Sequence, residues 1–462
     1  MRGQVRRFSG RKLLTLTILG SLSPAAYADS PPDTPPLPDS APGLGATTAR
    51  PELVARPVSA EEAVQVAFQY HANAAVAEEN LAASRARVRE VRTGTLPRVN
   101  GEVSFTGRGN SALRGAFGPT RTQDDFRTDF GPQPRVSVQY NLYDGGQTRQ
   151  AIRQARAGVD GSQAGLVATR NNLAFTVINN YLRQLQSERL LELRTVQVEV
   201  AKEQLRQVDA RIETGAAAAA DRALPLSTLR IREVDLRVAQ NNVLVSANTL
   251  RNSMGLEVGP PLRLVEVQED ASALLPLESL RDVAIRQRPE VAQDEASTRA
   301  SQASVSIARI GRKPRVDTAF GFNLTPNNVV SRSDFVISTM ISMPLWDAGL
   351  THAREQQARN QAQIAAIRLE QTRRDVSADV QEAYLNLVTA RERFQVSKLA
   401  AEASQVNLTA QTERYARGAN GVTVVDLIQA QEQFATANNN TIAALYDILR
   451  AQAQLNLAIG RY

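Results

Sequence analysis

Leu142-Tyr143-Asp144-Gly145-Gly146 and Leu345-Trp346-Asp347-Ala348-Gly349 are one five-residue pattern written twice, 203 positions apart. The same offset holds without a gap to Gly215 and Gly418. Upstream, Pro97-Arg98-Val99 recurs as Pro314-Arg315-Val316, now at an offset of 217. A unit near 200 residues is far longer than solenoid repeats, whose periods are about 20–50 residues. The repetition therefore reads as duplication of one large unit. The fourteen-residue difference between the offsets falls between the two motifs, inside one loop, so the framework around it has equal dimensions in both halves.

Two periodicities alternate along each half. Val99, Gly101, Val103 and Phe105 alternate with polar residues, and so do Val136, Val138, Tyr140 and Leu142. The second half repeats the pattern with Val316, Thr318, Phe320, Phe322 and Leu324, then with Ile337, Thr339, Ile341 and Met343. This predicts β-hairpins at about 97–143 and 314–346. Period-two alternation over about ten residues, ending in Tyr143 and Trp346, is the pattern of transmembrane β-barrel strands. A half-buried soluble hairpin is the competing reading for any one strand. Four strands in two paired copies favour the membrane.

Elsewhere Ala, Gln, Arg, Glu and Leu dominate, with Pro and Gly at boundaries, which predicts helices. The first half gives Ser59–Thr93, Gln147–Glu213 and Asp221–Met254; the second gives Leu277–Ile310, Leu350–Arg417 and Val425–Ile459. A helix of about 67 residues spans about 100 Å at 1.5 Å per residue. The two shorter helices of each half sum to the same length, so they are expected end to end beside the long one. Helices that long and polar need lateral neighbours.

The first residues read as an export signal. Arg2, Arg6, Arg7, Arg11 and Lys12 precede the apolar run Leu13 to Leu22, and Ala26-Tyr27-Ala28 fits a cleavage site. The run is too short for a membrane anchor, and the twin-arginine pattern is poorly matched around Arg6-Arg7. Removing the five basic residues before Ala28 leaves 49 basic against 47 acidic residues, a net charge of about +2. The basic isoelectric point is thus no argument for nucleic acid. With no cysteine there is no disulfide, thiolate or lipidation site. His71 and His352 read as lone solvated residues, and no cluster has metal-ligand spacing, so neither catalysis nor a cofactor is expected. The Pro-, Ala- and Ser-rich stretch at 29–57 reads as a disordered spacer. The expected organisation is signal 1–28, spacer 29–57, first repeat 58–257, linker 258–276 and second repeat 277–462.

Four strands do not close a barrel, because the smallest membrane barrels use about eight. Open strand edges in lipid leave backbone groups unsatisfied. Other copies of the chain must supply the rest: two give eight strands, and three give twelve with room for a pore.

The duplicated helix–hairpin–helix layout resembles the TolC-like outer-membrane efflux channels. The two L-[YW]-D-[GA]-G junctions, with Asp144, Gly146, Asp347 and Gly349, carry the likeness, as do Gly215 and Gly418 at the helix-hairpin tips. The resemblance implies a mainly α fold with transmembrane β. It further implies a homotrimer with a twelve-strand barrel in the outer-membrane lipid of a Gram-negative bacterium, and long coiled-coil helices crossing the periplasm. Partners implied are a periplasmic adaptor and an inner-membrane RND or ABC transporter. The channel would be the passive exit duct of a tripartite pump or type I secretion system.

The resemblance also implies a periplasmic gate. Asp221 matches its acidic member, Tyr415 its tyrosine, and Asp426 an acid that rings the entrance in three copies. The gate arginine would fall near Asn420 and a second ring acid at Gln429, so both are missing; Arg417 or Arg222 could substitute for the cation. Helix N-capping is the alternative role for Asp221 and Asp426. The rival class is a non-channel periplasmic coiled-coil adaptor or scaffold, which would need little or no detergent. The exported substrate, whether drug, metal or protein, stays open.

Overall fold

The computed structural model describes residues 56–109, 128–268, 275–325, 332–417 and 423–462. The leader, nearly all of the spacer and Gly418 lie outside these residues. The elements are α1 (Ala60–Tyr70), α2 (Ala72–Arg92), β1 (Arg98–Gly109), β2 (Thr128–Tyr143), α3 (Gln147–Glu213) and α4 (Ala223–Ser253). The second half repeats them as α5 (Leu277–Gln287), α6 (Pro289–Ile310), β3 (Arg315–Thr325), β4 (Arg332–Ser342), α7 (Leu350–Ala416) and α8 (Val424–Ala458).

The five-residue motif works as a strand-to-helix hinge. Asp144 accepts the N–H groups of Gly146 at 2.8 Å and Thr148 at 2.6 Å. Asp347 does the same for Gly349 at 3.1 Å and Thr351 at 2.9 Å. These bonds satisfy donors that the first helical turn leaves free. Burial pushes the Asp144 carboxyl up, but the bonds from Thr148 and Gly146 outweigh it and hold the group below the usual range. Gly146 and Gly349 take φ of +92° and +85°, which a side chain adopts only with strain.

The expected single helices at Ser59–Thr93 and Leu277–Ile310 are each broken in two, at His71 and Arg288. These positions are 217 residues apart, so the break belongs to the duplicated unit. Arg288 precedes Pro289, and the residue before proline is pushed out of helical conformation. His71 has no such neighbour. It sits with ψ near 128° and its Nδ1 accepts the Asn73 N–H at 3.2 Å, capping α2. Partial burial lowers its pKa, and accepting at Nδ1 requires that nitrogen unprotonated, so this half-buried histidine serves as a helix cap. A glycine in left-handed conformation lies over each break. A Cβ on Gly255 (φ +74°) would come within 2.7 Å of the Tyr70 carbonyl, and one on Gly460 (φ +77°) within 3.1 Å of Gln287. Gly255→Ala should therefore destabilise the protein by more than about 2 kcal/mol, from backbone strain and steric clash together. Gly460→Ala should cost less, and thermal unfolding of the two detergent-purified variants ranks them.

The sheet has the order β1-β2-β3-β4, antiparallel throughout. Its register collects the sequence alternations onto one face. Val99 pairs with Val138, Val138 with Phe320 and Phe320 with Ile337; Gly101, Val136, Phe322 and Phe335 form the next apolar row. The opposite face carries Glu102, Arg135, Asn323 and Asp334 in one row and Arg98, Gln139, Ala319 and Ser338 in another. A bulge between Asn141 and Tyr143 ends the β2–β3 ladder beside the hinge motif. β1 and β4 are both unpaired on their outer edges.

The helices form a layer four wide. Next to the sheet the order is α2–α3–α6–α7; at the far end it is α4–α3–α8–α7. The edge elements are thus α2, α4 and β1 on one side and α7 and β4 on the other. Apolar packing concentrates at mid-height, where the short helices meet. One core joins Val64, Ala67, Val177, Leu182, Leu250 and Met254; a second joins Leu280, Val380, Leu387, Ile448 and Leu455.

One mid-height contact was invisible in the sequence. Val58 forms a parallel bridge with Leu264, bringing the start of the first half against the segment expected to be a plain linker. The fully buried Tyr181 staples both strands: its hydroxyl lies 2.8 Å from Val58 O and 2.6 Å from Val265 O, and accepts the Val265 N–H at 2.9 Å. Burial raises its pKa to about 12. Tyr181→Phe should lower stability by about 1–3 kcal/mol, because buried backbone groups lose their partner; thermal unfolding measures it.

Candidate functional site

The tip opposite the sheet is formed by the α3–α4 turn and by the ends of α7 and α8. In that turn, Gly215 (φ +70°) ends α3, with the Ala216 N–H returning to Arg211 O at 2.8 Å. A short 3-10 turn, Ala219–Arg222, then leads into α4. Asp221 caps that turn by accepting the Ala218 N–H at 3.0 Å. Arg222 reaches back to Asp209 of α3, Nε to Oδ1 at 2.7 Å. The side chain of Asp426 accepts the Thr423 N–H and hydroxyl at 2.8 and 2.7 Å, while Thr423 Oγ1 accepts the Asp426 N–H at 3.3 Å. This capping box starts α8, and the Thr423 bonds hold the Asp426 carboxyl below its usual range. Asp221 and Asp426 thus both cap helices within the protomer.

Tyr415 is engaged through its ring. The Arg211 guanidinium stacks over it, 4.1 Å from the centroid, and Arg211 Nη2 donates to Tyr415 O at 3.2 Å. This ties the last turn of α3 to the last turn of α7. Neither residue suggested for the missing cation does this: Arg222 holds Asp209, and Arg417 holds Glu413 at 3.1 Å. Further from the tip, Arg232 of α4 is paired with Glu432 of α8 and, at 3.3 Å, with Asp235. No hydrogen bond joins Asp221 to Tyr415 among the described residues. Sequence reasoning missed Arg211, although a cation and an aromatic in the final turns of two equivalent helices were the available cue.

No group of residues that could hold a metal occurs among the described residues, and no helix there is long and apolar enough to cross a membrane. The geometry is that of a helix layer four wide with a polar end.

The chain belongs to the outer membrane efflux protein family, whose model matches residues 63–256 and 280–461. It is 22% identical over 344 residues to the outer membrane efflux protein BepC of Brucella suis, covering 72% of this chain and 74% of that protein. To the outer membrane protein TolC of Vibrio cholerae it is 26% identical over 311 residues, 63% of this chain and 68% of the relative. The CmeC outer membrane channel of Campylobacter jejuni superposes with a TM-score of 0.74 at 14% identity, covering 87% of this chain and 85% of that one. The protein is therefore an outer-membrane efflux channel and not a soluble adaptor or scaffold.

Proposed function

We propose that three copies close into one passive channel, gated at the helical tip, that serves as exit duct for an inner-membrane RND or ABC transporter reached through a periplasmic adaptor. The observation that carries this reading is the match between open edges. β1 and β4 are unpaired on opposite sides of the sheet, and α2 with α4, and α7, are the edges of the helix layer on those same sides. A neighbour that satisfies one layer satisfies the other. Three protomers supply twelve strands, enough for an open lumen, whereas eight would be filled by side chains. Leu224, Ile231, Val238 and Val245 recur every seven residues on α4 and are exposed in the single chain, a seam suited to a helix of the next copy.

In this assembly Asp426, once per chain, places three carboxylates around the mouth. Like charges in a constriction attract cations, and salt weakens the effect. Planar-bilayer recordings test it. Asp426→Asn should reduce cation preference and weaken block by multivalent cations. Trimer yield should change little, since Asn still caps. Unchanged selectivity would leave Asp426 as a helix cap alone.

A further inference from the structure

The strand–helix junction carries a charge pattern that a gate at the far end does not use. On α2, Arg85, Arg89 and Arg92 are spaced i, i+4, i+7; on the adjacent α3, Arg149, Arg153 and Arg156 repeat that spacing. All six are exposed. Among the described residues none has a carboxylate within 4.0 Å; Arg153 reaches only Gln150, at 3.4 Å. Helix stability accounts for only two of the six: Arg89 and Arg92 lie in the last turn of α2, where a cation suits the helix dipole. Arg149, by contrast, lies in the first turn of α3, which holds no acidic residue, although a helix N-terminus disfavours cations.

Both stripes face away from the polar side of the sheet. A groove of about 510 Å³ joins Arg98, Gln139 and Asp317 of that side to Gln147 and Ala151 of α3. A second groove continues the line along α3 with Gly158, Ser162 and Gly165, and takes in Ser84 of α2. At 3.6 residues per turn, Arg149, Arg153 and Arg156 lie on the reverse of α3, and Arg85, Arg89 and Arg92 are turned from Ser84 and Val91. They share the side of the apolar sheet face. That face ends at the junction in Tyr143, Leu345 and Trp346, the last 87% exposed, as aromatic residues mark a membrane–water interface. Each stripe runs about 10 Å along its helix from there, about one Debye length at physiological salt.

The second half lacks the feature. Gln302, Ser306, His352 and Gln356 occupy the positions of Arg85, Arg89, Arg149 and Arg153. The counterparts of Arg92 and Arg156, Arg309 and Arg359, share Glu355 at 2.6 and 2.7 Å. The charge is a discrete patch on each protomer.

We propose that the outward arginine stripes of α2 and α3 are a docking surface for anionic phospholipid headgroups in the leaflet that borders the helices. Guanidinium groups suit phosphate by paired N–H donors, and the patch is continuous with the lipid-facing sheet. The inference rests on the reading of that sheet as membrane-embedded.

Native mass spectrometry of the full-length protein in detergent, titrated with phosphatidylglycerol or phosphatidylethanolamine, provides the test. The wild type should retain phosphatidylglycerol over phosphatidylethanolamine by roughly tenfold at low salt, with the preference falling as salt rises. Arg85→Gln/Arg89→Gln/Arg149→Gln/Arg153→Gln should bring the ratio near parity. Arg98→Gln/Arg315→Gln, which removes cations from the opposite face, should keep it. Should the fourfold variant fail to assemble, Arg89→Gln/Arg153→Gln should show a partial loss. A wild type without preference, or equal losses in both variant classes, overturns the proposal. Bilayer conductance of the same samples separates this outcome from failure of the channel reading, which would abolish conductance in the wild type.

Discussion

Ile337→Arg should abolish assembly of the channel in the outer membrane, while Ser338→Arg, its neighbour in the same strand, should assemble. Ile337 lies mid-way along β4, is 68% exposed and continues the apolar row of Val99, Val138 and Phe320. An arginine on the lipid face at mid-depth costs about 2–4 kcal/mol, falling to about 0–1 near the interface. Three copies multiply that cost in one barrel. Ser338 sits in the row of Arg98 and Gln139, where a cation meets water. Depth supplies an internal control: Ile341 faces lipid too, but it is one residue from the end of β4, so Ile341→Arg should assemble better than Ile337→Arg. Trimer yields from outer-membrane fractions decide the order, and equal yields of the Ile337 and Ser338 variants would reverse the face assignment.

Arg211→Ala and Tyr415→Ala should each raise the open fraction of single channels. The stacked pair is the described link between the final turns of α3 and α7, so its loss frees one hairpin tip from the other. A cation–π contact contributes about 1 kcal/mol, which is about fivefold in an equilibrium, and three protomers opening together compound it. Tyr415→Phe should stay closer to wild type, since the ring is retained. Arg211→Lys should fall between, keeping the charge but losing the planar stack. Open probabilities indistinguishable from wild type in both alanine variants would remove the pair from the gate.

The same residues show what a sequence reveals and what it hides. The long helices were legible because local chemistry marks their starts: Asp144-Gly145-Gly146 and Asp347-Ala348-Gly349 set α3 and α7 from the expected residues, Gln147 and Leu350. Strand faces were legible because a period of two survives pairing and only register decides which rows meet. The break at His71 was hidden, since nothing near it forbids a helix. The broken turn packs against Gly255, 185 residues away, where a Cβ would meet the Tyr70 carbonyl. The Tyr181 staple and the Val58–Leu264 bridge were hidden for the same reason. At the tip, the resemblance singled out Asp221, Tyr415 and Asp426, and the capping bonds of the two aspartates were foreseeable from Asp at a helix start. The gate cation was sought near Asn420, or in Arg417 or Arg222, by analogy. The guanidinium that stacks on Tyr415 belongs to Arg211, on a helix of the other half.

In the proposed channel, identical chains close each other's open edges to form a conducting barrel. The most direct measurement is the native mass of the detergent-extracted protein, taken with conductance of the same sample in a planar bilayer. Three chains per particle and unitary channel currents are the expected result. A monodisperse single chain, stable without detergent and silent in the bilayer, would contradict it.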